Sequence, residues 1–438
     1  MRPNRRPLLT ALTFAVLSVA SAAQAQSLQE LYEAARAYDA AYLSARAQAQ
    51  SAEYRAAQAE ALRRPSATVT ANGTHNQLDL PARNGSSTTT GASLGARYAL
   101  YNKANDATYA QAAKTLQLAQ ADLSTAEQDL ILRVSQAYFD VLAAQDALTT
   151  TRASKTAITE QLASAKRNFE VGTATITDTR EAQARFDLAT AQEIAAENDL
   201  RTKRIALDQL VGRSNVSPNG LAKPVVLPNT VPADAEAWVA QGAEVHPSIL
   251  KARLALEVAQ LESEKSRAST MPTVDAVGSV GMSHASGSVA STLGLTKSLS
   301  LGVQMNWPIY TGGSAENRIK ETVALEEKSR NDLEAARRTV AQFTRQAYFG
   351  LQSGMAQVKA LEAAESSTQL ALEATQLGYR VGVRVNLDVL NAQTQLFTTQ
   401  RDLAKARYDV LLANLRLRQA AGALKPDDLK PLNALLTR

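Results

Sequence analysis

The sequence predicts a mostly α-helical fold that also carries a membrane β-barrel, built from an internally duplicated subunit. Three observations predict it. One very long stretch contains neither proline nor glycine, short runs of alternating apolar and polar residues lie between helical stretches, and motifs of the first half recur in the second. Aromatic residues make up only 5% of the chain, which suits long helices better than a large globular core.

Residues 1–25 are predicted to be a secretory signal peptide. A basic start precedes the apolar run Leu8–Ala20, and Ala23–Ala25 fits the small-residue cleavage pattern. The alternative, a membrane anchor, needs a longer run. Cysteine is absent, so neither a disulfide framework nor a cysteine-linked lipid anchor is expected. Beyond Ala25 no apolar run reaches spanning length, so we expect any membrane crossing to use strands.

The charge of the exported chain is nearly balanced. Removing Arg2, Arg5 and Arg6 from the 47 basic residues leaves 44 against 42 acidic ones, a net charge of +2. Nucleic acid is therefore not a predicted partner. We found no phosphate loop, nucleophile motif or metal-ligand spacing among the three histidines, so no cofactor, metal site or enzymatic activity is predicted.

Motifs recur at a nearly constant offset. Gln136–Phe139 matches Gln346–Phe349, and Gly212 matches Gly422, both at an offset of 210 residues (422 − 212). This predicts two repeats, 26–212 and 233–422, joined by a proline-rich linker at 213–232. The tail at 423–438 is predicted to be either equatorial or disordered.

Each repeat is predicted to contain a helix, two strands, a very long helix and a further helix. The predicted helices are Leu28–Arg63, Lys103–Glu170, Asp178–Leu210, Pro247–Ala268, Ser314–Arg380 and Asp388–Ala420. A single helix over Lys103–Glu170 would be about 100 Å long. Its seam positions follow coiled-coil spacing: Leu130, Val134, Ala137, Val141, Ala144 and Leu148. The alternative interpretation is a solvated fibrous rod.

The predicted strands alternate with a period of two. Leu299, Leu301 and Val303 alternate with Ser300 and Gly302, as is typical of a sheet with one apolar face. Polar loops are predicted at His75–Thr90 and His284–Lys297. Aromatic residues near the predicted strand ends suggest interfacial girdles: Tyr98, Tyr101, Trp307 and Tyr310. A small soluble sandwich capped by helices is the alternative.

Four strands are too few to close a membrane barrel, and lipid tolerates no open sheet edge. A homotrimer would supply twelve strands around a lumen. The long helices would continue from the strands as a hollow α-helical coiled-coil barrel.

Several motifs resemble those of the TolC-like outer-membrane efflux and type I secretion channels. The resemblance is carried by Gly378–Ala392, Phe169–Asp178, Gln346–Phe349 and Trp307–Tyr310. It implies a homotrimeric passive export duct in the cell outer membrane, in contact with outer-membrane lipid and extending into the periplasm. It also implies docking to a periplasmic adaptor and an inner-membrane transporter, either an ABC or a proton-driven one. The resemblance does not distinguish drug, metal or protein substrates.

The resemblance further implies a gate at the periplasmic tip. Tyr379 and Arg384 of the second repeat would bond to Thr177 and Asp178 of the first, forming a latch, with tip turns at Gly172 and Gly382.

An acidic entrance ring is also implied. Asp388 matches its first acidic position, and Asn391 stands where the second acid would be, so we expect weaker cation selectivity. Helix capping is an alternative role for four residues at predicted helix starts: Thr177, Asp178, Asn386 and Asp388. Asp178 with Glu181 also resembles a capping box.

A periplasmic coiled-coil adaptor or scaffold without a membrane span is a competing hypothesis, and an exported enzyme is a third. An adaptor predicts one helical hairpin and a soluble β domain, and it would fractionate away from the outer membrane.

Overall fold

The computed structural model describes residues 26–80, 83–222, 224–225, 227–228, 230–290 and 292–437. The predicted signal peptide lies outside the described residues. None of the described helices combines the length and the apolar character needed to cross a bilayer.

Nine α-helices and four strands make up the described part of the chain. In chain order they are α1 Leu28–Tyr38, α2 Ala40–Glu60, β1 Ser66–Leu80, β2 Arg83–Tyr101, α3 Lys103–Glu170, α4 Ile176–Val211, α5 Ala235–Val245, α6 Pro247–Ala268, β3 Thr273–Ser286, β4 Gly294–Asn306, α7 Ser314–Arg380, α8 Asn386–Ala420 and α9 Leu429–Asn433. Short 3₁₀ turns lie at Ala61–Arg63 and Pro426–Asp428.

The two longest helices have the bounds that the sequence predicts. α3 contains 68 residues and α7 contains 67. α3 contacts α2 and α6 as well as α4 and α8, so helices pack along its whole length. The predicted seam residues are buried except Ala137, which is only half-buried.

The prediction of one continuous helix over Leu28–Arg63 is wrong, because the structure divides it into α1 and α2 at Asp39. The Asp39 carboxylate accepts a hydrogen bond from the Tyr42 amide at 2.8 Å and so caps α2. The same carboxylate accepts two 2.8 Å hydrogen bonds from the Arg133 guanidinium of α3. These bonds from Arg133 hold the pKa of Asp39 below its usual range. The break therefore fastens the first helical pair to the long helix.

The first and last described residues and the described part of the linker pack together against the middle of α3. The Gln26 amide donates to the Ser217 carbonyl at 2.8 Å, and the Thr437 amide donates to the Gly220 carbonyl at 2.8 Å. The Tyr138 hydroxyl of α3 donates to the Asn219 carbonyl at 2.9 Å. Leucines of the tail are buried in the same core: Leu424, Leu429, Leu432 and Leu436. The described part of the tail is thus ordered and belongs to the largest core of the chain.

The four strands form one antiparallel sheet in the order β1-β2-β3-β4. β1 and β2 pair continuously from Ser66 with Arg97 to Leu80 with Arg83. The predicted loops His75–Thr90 and His284–Lys297 are therefore wrong in extent, since strand pairing continues through much of both. The Ser- and Thr-rich stretches resemble loops in sequence, but the paired residues within them face partner residues across their hairpins.

The two faces of the sheet differ in polarity. Val69, Leu94, Val280 and Leu299 lie side by side across the four strands, and all four are exposed. The opposite face carries small and polar residues, as in the row Thr70, Ser93, Gly281 and Ser298. No described element covers the apolar face: Leu299 is 75% exposed and Leu301 is 82% exposed. The face therefore needs an apolar environment outside the single chain.

Two glycines of the chain allow a contrasting stability test. Gly422 ends α8 with φ of +66°, and a Cβ there would lie 2.4 Å from the Cα of His246. We expect Gly422→Ala to lower the free energy of unfolding by about 2–4 kcal/mol, because backbone strain adds to a clash with backbone. Gly382→Ala has a similar φ of +80° and no atom within 4 Å, so it should cost only about 1–2 kcal/mol. Thermal melting of the detergent-extracted protein compares them, and equal losses would contradict the role of the His246 contact.

Candidate functional site

The candidate site is the end of the molecule at which both long helices reverse direction. Gly172 and Gly382, the predicted tip turns, have φ of +79° and +80°. In the first turn the Asn168 carbonyl accepts hydrogen bonds from the amides of Thr173 and Ala174 at 2.8 and 3.1 Å. The Gly378 carbonyl plays the same part in the second turn. A Cβ at either turn glycine would meet no atom within 4 Å, so the backbone conformation selects glycine at these positions.

Asp178 caps α4. Its carboxylate accepts hydrogen bonds from the Thr175 amide at 2.9 Å and from the Thr175 hydroxyl at 2.7 Å. The Thr175 hydroxyl in turn accepts from the Asp178 amide at 3.2 Å. The capping box thus pairs Asp178 with Thr175, and the predicted pairing with Glu181 is wrong because α4 begins two residues earlier than expected. Thr177 lies exposed in the first turn of this helix.

Arg384 lies near Asp388 within its own chain. The Arg384 guanidinium is 3.6 Å from the Asp388 carboxylate, and the Arg384 side chain is 61% exposed. This places the predicted latch residue against the first turn of α8. Within one chain, Arg384 and Asp178 are not joined by a hydrogen bond or an ion pair among the described residues. A bond between them across subunits stays a prediction.

The structure joins the two hairpins, α3–α4 and α7–α8, through four polar residues. The Gln161 amide donates a hydrogen bond to the Asn386 side-chain carbonyl, and the Asn386 amide donates to the Asp178 backbone carbonyl at 3.4 Å. The Asn168 amide donates to the Tyr379 hydroxyl at 3.2 Å. We call Gln161, Asn168, Tyr379 and Asn386 the tip clasp. Asn386 is only 2% exposed, so its hydrogen bonds are shielded from water.

Apolar packing supports the tip clasp. Leu390 of α8 is fully buried in a cluster with Ala165 of α3 and Ala182 of α4. The small alanines let the helices approach closely, so the second hairpin lies against the first just beyond the turns.

The two predicted entrance-ring positions differ in their surroundings. The Asp388 side chain is 37% exposed and lies beside Arg384. The Asn391 side-chain carbonyl accepts a hydrogen bond from the Arg185 guanidinium of α4 at 2.9 Å. Asn391 therefore adds a further polar link between the hairpins.

Sequence reasoning missed three of the residues that join the hairpins: Gln161, Asn168 and Arg185. One signal was available, because Gln161 and Asn168 are a heptad apart on α3. Polar residues at heptad spacing indicate a seam that specifies its partner. The described residues hold no group of three or more His, Cys, Asp or Glu side chains arranged for a metal ion.

Comparison with known proteins identifies the family. The family model described as outer membrane efflux protein matches residues 31–213 and 238–423. The chain is 31% identical to the outer membrane protein TolC of Vibrio cholerae, over 98% of this chain and 97% of that protein. It is 36% identical to the alkaline protease secretion protein AprF of Pseudomonas aeruginosa, over 69% of this chain and 63% of that protein.

A solved structure shares the fold. The outer membrane protein VceC of Vibrio cholerae superposes with a TM-score of 0.77 over 90% of this chain and 96% of that one, at 19% identity. The relatives place this protein in the cell outer membrane. The match over both halves of the chain shows that it belongs to the outer membrane efflux protein family.

Proposed function

We propose that the protein forms a passive exit duct from the periplasm through the outer membrane, serving drug efflux, type I protein secretion or both. The uncovered apolar face of the sheet is the observation that carries this proposal. That face suits lipid, and the polar face behind it suits a water-filled lumen.

The sheet explains why copies must associate. β1 and β4 are its edge strands, and each would present unpaired backbone groups to lipid. Three copies, contributing four strands each, form a closed barrel of twelve strands. Membrane barrels begin at about eight strands. With four strands per chain, a homotrimer is the smallest assembly that exceeds this number.

Internal duplication is supported by the order of elements. Two short helices interrupted by a cap, two strands, one very long helix and one shorter helix occur twice in the same order. The interruptions lie at Asp39 and His246. Each is close to the glycine that follows the last helix of its repeat: Gly212 lies against Tyr38, and Gly422 lies against His246. The repeats 26–212 and 233–422 therefore form a pseudo-symmetric wall.

The helices extend the duct. α3 spans about 100 Å and carries polar residues throughout, so it belongs in water and not in lipid. Each strand hairpin is connected to helices at its open end. If the helices lie in the periplasm, the turns of both hairpins lie at the cell surface. The three subunits' helices would surround a continuous lumen through the periplasm.

The gate lies at the tip, where the tip clasp holds the second hairpin against the first. Tyr379 and Arg384 with Thr177 and Asp178 supply the latch, and Asp388 with Asn391 lines the entrance. Energy comes from an inner-membrane transporter that docks through a periplasmic adaptor. The chain itself performs no enzymatic chemistry. Both efflux and secretion stay in the proposal because the relatives' names include both kinds of protein.

The function is tested by extracting the protein in detergent and measuring its mass and its conductance in planar bilayers. We expect a stable trimer that conducts ions. A stable monomer without conductance would overturn the proposal. The competing periplasmic adaptor would leave the apolar face uncovered, and it predicts a protein that needs no detergent to stay in solution.

A further inference from the structure

One charged pair lies on the polar face of the sheet. The Arg97 guanidinium of β2 lies 2.6 Å from the Asp275 carboxylate of β3. Strand register places both side chains on the polar face, because Ala99 pairs with Asp275 and Arg97 pairs with Val277. Among the strand residues whose side chains the structure describes, no other charged residue lies on this face.

The two partners of this pair are unequally exposed. The Asp275 side chain is 7% exposed, whereas the Arg97 side chain is 64% exposed. One carboxylate oxygen of Asp275, Oδ1, has no hydrogen-bond partner among the described residues. The carboxylate thus lies behind the guanidinium, and the solvent on this face meets mainly the cation.

The neighbours of the pair on this face are uncharged: Val277 pairs with Arg97, and Gln304 pairs with Asp275. Gly95 and Gly302 lie on the same face, and a Cβ at Gly302 would meet no atom within 4 Å. Arg97 pairs with Ser66, the first residue of β1, so the pair lies at the helix-proximal end of the sheet. No large side chain of the sheet separates Arg97 from the space that this face bounds.

We infer that the Arg97–Asp275 pair sets the charge selectivity at the base of the barrel, because Asp275 balances the charge that Arg97 presents there. The inference rests on the proposed function, in which the polar face bounds the lumen. In the proposed trimer the pairs form a belt of guanidiniums, each nearly neutralised by the carboxylate behind it. The belt lies at the opposite end of the helices from Asp388 and acts on ions and charged substrates as they enter the barrel.

The pair also fixes strand register. A shift of one residue between strands would move Arg97 to the lipid face, where an arginine is less favourable than in water. The effect on selectivity can be separated from this structural role. Neutralising Asp275 makes the belt more positive, whereas neutralising Arg97 makes it more negative.

The test measures reversal potentials in a low-salt KCl gradient for four variants. Asp275→Asn leaves Arg97 uncompensated, and we expect the anion-to-cation permeability ratio to rise at least about two-fold. Arg97→Gln leaves the carboxylate uncompensated and should lower the ratio. The double variant should return to the wild-type ratio. Lys297→Gln, a matched control on the exposed apolar face of the same sheet, should leave the ratio unchanged.

Opposite shifts that cancel in the double variant would support the inference, since a merely structural contact would move both single variants the same way. If wild-type channels conduct and Asp275→Asn shifts the ratio no more than Lys297→Gln, the inference is overturned and the proposed function stands. If Arg97→Gln fails to assemble, Asp275→Asn and the double variant still decide the matter. A wild-type protein without conductance would overturn the proposed function itself.

Discussion

A chain ending at Leu424 is expected to lose at least about 5 kcal/mol of stability, because it lacks three buried leucines of the main core. Leu429 is fully buried, and Leu432 and Leu436 are each 5% exposed. Such a loss equals the whole stability of many domains, so the truncated protein should not accumulate in the outer membrane. The measurement is the amount of the protein in outer membranes, with thermal melting of any protein that accumulates there.

The tail has this effect because it joins segments that are distant in the sequence. The Ala222 amide of the linker donates to the Leu435 carbonyl at 2.9 Å, and the Leu28 amide of α1 donates to the Asn433 side chain at 3.1 Å. Deleting the tail therefore uncovers the linker and α1 together. The linker also accepts a hydrogen bond from the Tyr138 hydroxyl of α3, at the Asn219 carbonyl. Uncovering the linker therefore also exposes the middle of α3.

Point substitutions separate packing from chain length. Leu436→Ala keeps the whole chain and should still lower the free energy of unfolding by about 2–3 kcal/mol. Leu325→Ala, on α7, is the matched control because Leu325 is 45% exposed, and we expect almost no change. Wild-type amounts of the truncated chain in outer membranes would show that the tail packs without stabilising the fold.

The long helices could be predicted to the residue because local chemistry determines their ends. Asn102 caps α3 through its side chain, and a glycine with positive φ lies two residues after the last residue of each long helix, at Gly172 and Gly382. The break at Asp39 could not be predicted in this way. It depends on Arg133, which lies 94 residues further along the chain and becomes a neighbour only when α1 and α2 pack on α3.

The strand ends and the tip clasp depend on tertiary contacts in the same manner. The Ser- and Thr-rich stretch after His75 has no apolar alternation, but it pairs across a hairpin, as where His75 meets Thr88. Gln161 and Asn386 are 225 residues apart, and neither is unusual in a polar helix. The tip turns, by contrast, were predictable because positive φ selects glycine locally.

Removing the tip clasp is expected to open the channel. Asn386→Ala with Tyr379→Phe removes the described hydrogen bonds of Asn386 and Tyr379 between the hairpins. A loss of about 2 kcal/mol from the closed state would raise the open-to-closed ratio about 30-fold. Single-channel recordings should therefore show long openings of higher conductance. Asn331→Ala is the matched control, because the Asn331 amide bonds only within α7.

Arg384→Ala then distinguishes a gate closed by contacts within each subunit from a gate closed by contacts between subunits. Its partner within the chain, Asp388, is 3.6 Å away in an exposed pair, which is worth at most about 0.5 kcal/mol. If contacts within each subunit close the tip, Arg384→Ala should change the conductance little and the clasp variant should change it greatly. If Arg384 instead reaches Asp178 of a neighbouring subunit, its removal should open the channel at least as far. Unchanged conductance in both variants would place the gate elsewhere, because the residues that join the hairpins would then not resist their separation.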